Sequence, residues 1–134
     1  MSARSKARKR ALDLIYAAEM RDRSAVEMLE EQASETQVND YTAELVRGVA
    51  EHQGRLDEVI GTYAQGWTLE RMPAVDRNVL RLATYEVLHV DDVPDAVAVS
   101  EALNLVRDLS TDESPAFVNG VLGNIVRDRD GLLR

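Results

Sequence analysis

Five of the first ten residues, MSARSKARKR, are cationic and none is anionic. Arginine and lysine at this density are the side chains that neutralise a phosphate backbone, displacing condensed counterions and making binding salt-dependent. The apolar positions that follow in ALDLIYAAEM have helical spacing, so the cluster sits at a helix N-terminus. There the macrodipole disfavours each cation by about 0.3–1 kcal/mol. Arg4 and Arg8 lie one turn apart, while Lys6, Lys9 and Arg10 spread around the helix, the layout of an arginine-rich arm that tracks nucleic acid. A solvated, frayed terminus is the plainer alternative. A membrane-surface anchor is disfavoured, because no Trp, Phe or Leu-rich stripe lies beneath the charges. Neither Arg8 nor Arg10 is expected in the core.

A second stretch with chemical possibilities is TDESPAFVNGVLGNI. Phe117, the only phenylalanine, falls near the first turn of a helix, where it is either a core residue or a platform on which a base stacks. Gly120 and Gly123 inside that helix each cost about 1 kcal/mol relative to alanine. Tight helix packing explains them as well as the close approach of a ligand does. In the third stretch, VDRNVLRLATYEVL, Arg77 and Arg81 are one turn apart and off the apolar face, so ion pairing and phosphate contact are both open. Glu86 falls on the apolar face, where a carboxylate needs a partner.

Catalysis finds no constellation. His52 and His89 are far apart with no carboxylate at ligand spacing, and no phosphate-binding glycine loop, GxGxxG or GxSxG is present. The chain has no cysteine, which removes disulfides and thiolate zinc sites and fits a reducing compartment. The sequence therefore predicts a protein that is no enzyme and holds no metal or cofactor.

The elements that must position these residues are all helical. A first helix is expected from about Arg4 to Met20, and a second from Ala25 to Ala33, capped by Ser24 with Glu27 completing a capping box. A third follows Asn39 or Asp40 and is expected to end or kink at Gly54. Leu56, Val59, Ile60 and Tyr63 then form the stripe of a fourth. Gly66-Trp67 marks a turn before a short helical piece at Leu69–Met72. A long helix spans Val75–Val90, the next starts behind Pro94, and the last starts at Ser114-Pro115. The tail RDRDGLLR is expected to fray. No repeat, low-complexity segment or strand pattern is present.

At 134 residues the chain is expected to form one domain. Of its formal net charge of −8, the first ten residues contribute +5, leaving −13 on the rest. A small basic surface and a broad acidic one suit two different partners. An acidic body that only confers solubility is the alternative. The apolar stretch after the basic opening is short and broken by Asp13, and nothing approaches the roughly 20 apolar residues of a membrane span, so a soluble cytoplasmic protein is expected.

Read in order, the basic opening with RALDLIY, then VDRNVLRLATYEVL, DVPDAVAVSEALNLVRDLS and SPAFVNGVL resemble the NusB family of bacterial transcription antitermination factors across nearly the whole chain. The resemblance implies an all-α fold of two small helical bundles packed across each other, about seven helices, as one RNA-binding domain over 1–134. It implies binding to the single-stranded boxA element of nascent RNA together with NusE, a small-subunit ribosomal protein. It further implies association with NusA, NusG and RNA polymerase, and read-through of ribosomal RNA operons. Residue by residue, it carries RNA contacts to Arg4, Lys6, Arg8, Lys9, Arg10, Arg81, Glu113 and Phe117. The NusE-facing surface falls on Tyr63, Glu70 and Asp76. Tyr16 suits the core and an RNA contact equally. A homodimer that hides the arm is compatible with the charge layout. Two alternatives stand: a helical interaction scaffold without RNA, and the NusB-like module of a ribosomal RNA methyltransferase, for whose catalytic domain 134 residues leave no room.

Overall fold

The computed structural model describes residues 2–133, so Met1 of the basic arm and Arg134 of the tail lie outside the described residues. Those residues form seven α-helices and one short 3-10 turn, with no strand. They divide into two units, residues 1–52 and 53–134.

The first unit contains α1 (Ala3–Met20), α2 (Ala25–Glu35) and the N-terminal part of α3 (Asp40–Tyr63). Ser2 caps α1 by accepting from the Ser5 N–H at 3.0 Å, and Ser24 caps α2 by accepting from the Glu27 N–H at 3.2 Å. Asn39 caps α3, its side-chain oxygen accepting from the Tyr41 and Thr42 N–H groups at 2.8 and 3.2 Å. Ala7, Ala11, Leu12, Ile15 and Ala18 of α1 are buried, as are Leu29 of α2 and Tyr41, Leu45, Val46 and Val49 of α3. The Thr42 hydroxyl donates to the carbonyl of Ala7 at 3.1 Å, which fixes α1 against the first turn of α3.

The expected break at Gly54 does not occur: α3 runs uninterrupted for 24 residues. Its buried positions Leu45, Val49, Leu56 and Ile60 keep one helical register on both sides of the glycine. A penalty of about 1 kcal/mol at one exposed site cannot interrupt a stripe of that length.

The second unit holds the rest of α3, a 3-10 turn at Leu69–Arg71, α4 (Ala74–His89), α5 (Asp95–Leu109), α6 (Ser114–Arg127) and α7 (Arg129–Leu132). Helix α4 packs against α5 and α6, and α5 against α6. Burial of α4 is nearly complete from Asn78 to Leu88, so it is the central helix of this unit. Val118, Val121, Leu122 and Ile125 give α6 its buried stripe.

One further expectation is corrected here, and one open alternative is removed. The tail does not fray up to Leu132: it closes α7, with Arg129 Nε donating to the Val87 carbonyl at 3.0 Å and Arg55 donating to the Leu132 carbonyl at 3.3 Å. A Cβ built on Gly120 or Gly123 would meet nothing within 4 Å, so neither glycine serves tight packing. Both stand on the exposed side of α6.

Candidate nucleic-acid interface

The cations of the opening segment separate into two groups once α1 is formed. Lys6, Lys9 and Arg10 share a side of the helix with Asp13 and border a cleft of about 500 Å³ that reaches Gln32 of α2. Lys6 and Arg10 are exposed. Lys9 is bridged to Asp13 one turn on at 2.7 Å, an exposed pair of the kind worth only about 0.3–0.5 kcal/mol and easily exchanged for a phosphate.

Arg8 is different, and the expectation that it lies outside the core is corrected. It is 4% exposed and its guanidinium lies 5.7 Å from the centroid of the buried Tyr41 ring. The reason is geometric: position 8 falls beside Ala7, Ala11 and Leu12 on the buried side of α1, and the aliphatic stem is what that side accommodates. Arg4, exposed at its own position, stacks on the same ring at 4.3 Å. Tyr41 thus holds two arginines in place, a cation–π arrangement worth roughly 0.5–2 kcal/mol per contact. Tyr16 is 38% exposed, beyond what a core position would show.

Arg81 is likewise not the surface cation its spacing suggested. It is 8% exposed, and its Nε and Nη2 donate to the two carboxylate oxygens of Asp57 at 2.7 and 3.0 Å. Its Nη1 donates to the Asn78 side chain at 3.0 Å. A bidentate pair of this form fixes both partners, so Arg81 joins α4 to the C-terminal part of α3. Arg77 is a bracket as well, donating to the Leu69 and Met72 carbonyls at 2.9 and 3.1 Å and so setting the turn before α4.

Residues expected to meet a protein partner are not gathered into one patch. Glu70 is exposed on the 3-10 turn. Tyr63 donates its hydroxyl to Asp128 at 2.7 Å. That hydrogen bond stabilises the neutral phenol and raises its pKa, while bonds from Arg127 and Tyr63 hold the Asp128 carboxyl below the ordinary range. Asp76 is 2% exposed, so almost none of it is offered to a protein partner. It accepts from the Ser110 hydroxyl at 2.6 Å and from the Ser114 hydroxyl at 2.8 Å. Each hydroxyl has one proton, so both are committed to the carboxylate, and Ser114 Oγ in turn accepts from the Thr111 N–H at 3.2 Å. Asp76 therefore ties the loop 110–113 and the start of α6 to α4.

That loop and helix start carry Glu113 and Phe117. Glu113 is exposed and precedes α6, and Phe117 is half-buried in the first turn. Here the sequence reading missed a residue. Trp67, taken only as part of a turn, is 50% exposed and lies edge-on to Phe117, with ring centroids 6.0 Å apart and planes at 60°. Gly66, at φ +79°, allows the turn that presents it. The missed signal was the combination of the only tryptophan with a turn glycine beside it.

The NusB family model matches residues 5–127. A transcription antitermination protein NusB from a Nocardioides species is 63% identical over 134 residues, covering 98% of this chain and 99% of the relative. One from an Arthrobacter species is 56% identical over 135 residues, covering 99% of each. Among solved structures, T. maritima NusB superposes with a TM-score of 0.86 at 32% identity, covering 96% of this chain and 94% of that one. NusB in a complex of antitermination factors NusB and NusE with double-stranded RNA superposes with a TM-score of 0.80 at 25% identity, covering 92% and 96%.

Proposed function

This chain belongs to the NusB family, and we propose on that footing that it is a transcription antitermination factor binding boxA-type RNA together with NusE. The observation that carries the reading is the 63% identity over nearly the full chain to an antitermination protein. The relative solved with NusE and double-stranded RNA supports NusE and RNA as the classes of partner. The action is binding, in the cytoplasm; among the described residues no helix is long and apolar enough to cross a membrane.

In this reading residues 1–134 act as one RNA-binding module. Arg4, Lys6, Lys9 and Arg10 meet phosphates along α1, each neutralised phosphate adding about 0.7 to the salt slope for a single strand. Glu113 and Phe117 contribute from the start of α6. Arg8 and Arg81, both buried, position α1 and α4 instead of touching RNA. NusE is met by the acidic body, with Glu70 and Tyr63 at its surface and Asp76 acting from beneath through Ser110 and Ser114. NusA, NusG and RNA polymerase complete the assembly.

Fluorescence anisotropy of labelled boxA-like RNA against a scrambled control, with and without NusE at two salt concentrations, tests the reading. Preferential, salt-sensitive binding that tightens with NusE is expected. Equal binding of both RNAs reduces the arm to a nonspecific patch, and no RNA binding with NusE still bound leaves a protein scaffold.

A further inference from the structure

In the second unit, Trp67, Arg71, Thr111, Glu113 and Phe117 surround a cleft of about 450 Å³ whose floor includes Asp76 and Ser114. Half of the largest side chain in the protein faces solvent here, an arrangement that a folding core would not select. The turn that presents it is held from both sides, by the Gly66 backbone and by Arg77 on the Leu69 and Met72 carbonyls. Opposite, the Asp76–Ser114 hydrogen bond fixes the start of α6 and with it Phe117. The two aromatic rings meet edge to face, not in a stack, and the indole is half-exposed on the cleft wall.

We propose that this cleft takes one unstacked nucleobase of the bound RNA, with Trp67 as its stacking surface and Phe117 against its edge. The proposal rests on the RNA-binding reading above and adds a residue and a chemistry to it. Glu113 on the cleft and Asp76 beneath it make the interior unfavourable to phosphate, so a base enters and its phosphate stays at the Arg71 rim. A carboxylate can only accept hydrogen bonds. Glu113 therefore takes a donor edge of the base, an exocyclic amine or a ring N–H, and not an edge made only of acceptors.

Trp67 is the only tryptophan, so its emission reports the cleft directly. The full-length protein is titrated with an unlabelled boxA-type oligonucleotide while intrinsic fluorescence is followed, and anisotropy of labelled RNA runs in parallel, each with and without NusE. Saturable quenching that tracks the anisotropy curve is expected. Trp67→Ala should weaken RNA binding about 5- to 150-fold, the range for losing one stacked base, with an unchanged far-UV circular dichroism spectrum. Trp67→Phe should restore most of the affinity, which a merely structural role would not predict so simply. Unchanged emission at RNA saturation, or wild-type RNA affinity in Trp67→Ala, overturns the cleft while leaving the family function intact. Quenching by NusE alone, with Trp67→Ala losing NusE and not RNA, overturns it in favour of a protein site. Absence of RNA binding by the wild-type protein in every condition overturns the function reading and the cleft together.

Discussion

Whether Arg81 is a structural residue or an RNA contact is decided by removing it together with its partner. The Arg81 side chain is 10% exposed and that of Asp57 is 30% exposed, and three hydrogen bonds of 2.7–3.0 Å converge on the guanidinium. Breaking a fully buried pair by deleting one partner costs about 3–5 kcal/mol. Asp57 retains enough solvent to recover part of its hydration, so about 2–3 kcal/mol is expected for Arg81→Ala, lost stem packing included. In a domain of this size that lowers Tm by roughly 6–12 °C. Asp57→Ala leaves a largely buried guanidinium and should cost a similar amount. The double variant should cost little more than either alone, giving a coupling of about 1.5–2.5 kcal/mol. Urea melts followed by circular dichroism at 222 nm supply the four stabilities, and RNA anisotropy on the folded variants supplies the affinities. A coupling below about 0.5 kcal/mol refutes the structural assignment. So does an Arg81→Ala variant of unchanged Tm that binds RNA weakly, which would return this arginine to the phosphate surface.

Arg8→Ala should lower stability by about 1–2 kcal/mol in the same melts, because the guanidinium and its stem leave a site beside Tyr41. Arg10→Ala should leave stability within about 0.5 kcal/mol and lower the RNA salt slope by about 0.7, read from anisotropy at several salt concentrations. Asp76→Ala should cost about 2–4 kcal/mol, since two hydroxyls lose a charged acceptor. Its amide exchange should quicken first in residues 110–117. The raised pKa of Tyr63 means that the folded state holds the phenolic proton more tightly than the unfolded chain. Its contribution is complete below the ordinary tyrosine pKa of about 10 and is lost as pH rises through the folded value. In an ultraviolet titration Tyr63→Phe should remove a late-titrating phenol. Asp128 works in the opposite sense: its lowered pKa supports the fold above the ordinary carboxylate range and that support disappears on acidification.

The helix order was legible because the punctuation is strong. Ser24, Pro94 and Ser114-Pro115 stand at or beside the starts of α2, α5 and α6, where caps and a fixed proline φ act locally and need no tertiary information. Gly54 misled because a single glycine is a weak signal and the apolar register running through it is a stronger one. The basic opening was legible as composition but not as geometry. Which of five cations turns inward depends on the direction in which α1 packs, and Tyr41, the aromatic that receives Arg8 and Arg4, lies more than thirty residues away in sequence. The family resemblance places Asp76 on a partner-facing surface, and its burial is not legible locally, since Ser110 and Ser114 are brought to it only by the packing of α5 and α6 on α4. The Trp67–Phe117 pair spans fifty positions and has no local signature.

The open face of α6 has a consequence in time rather than in structure. Gly120 and Gly123 add no side chain to its outer side, and nothing lies within 4 Å of where a Cβ would be. Alanine at both positions would raise the helix's intrinsic stability by about 2 kcal/mol. As it stands, the helix that carries Phe117 opens more readily by a factor of about thirty than its alanine counterpart would. Its amides should therefore exchange with solvent well before those of α4, so the rigid floor of the second unit and the element that presents the aromatic edge run on different clocks.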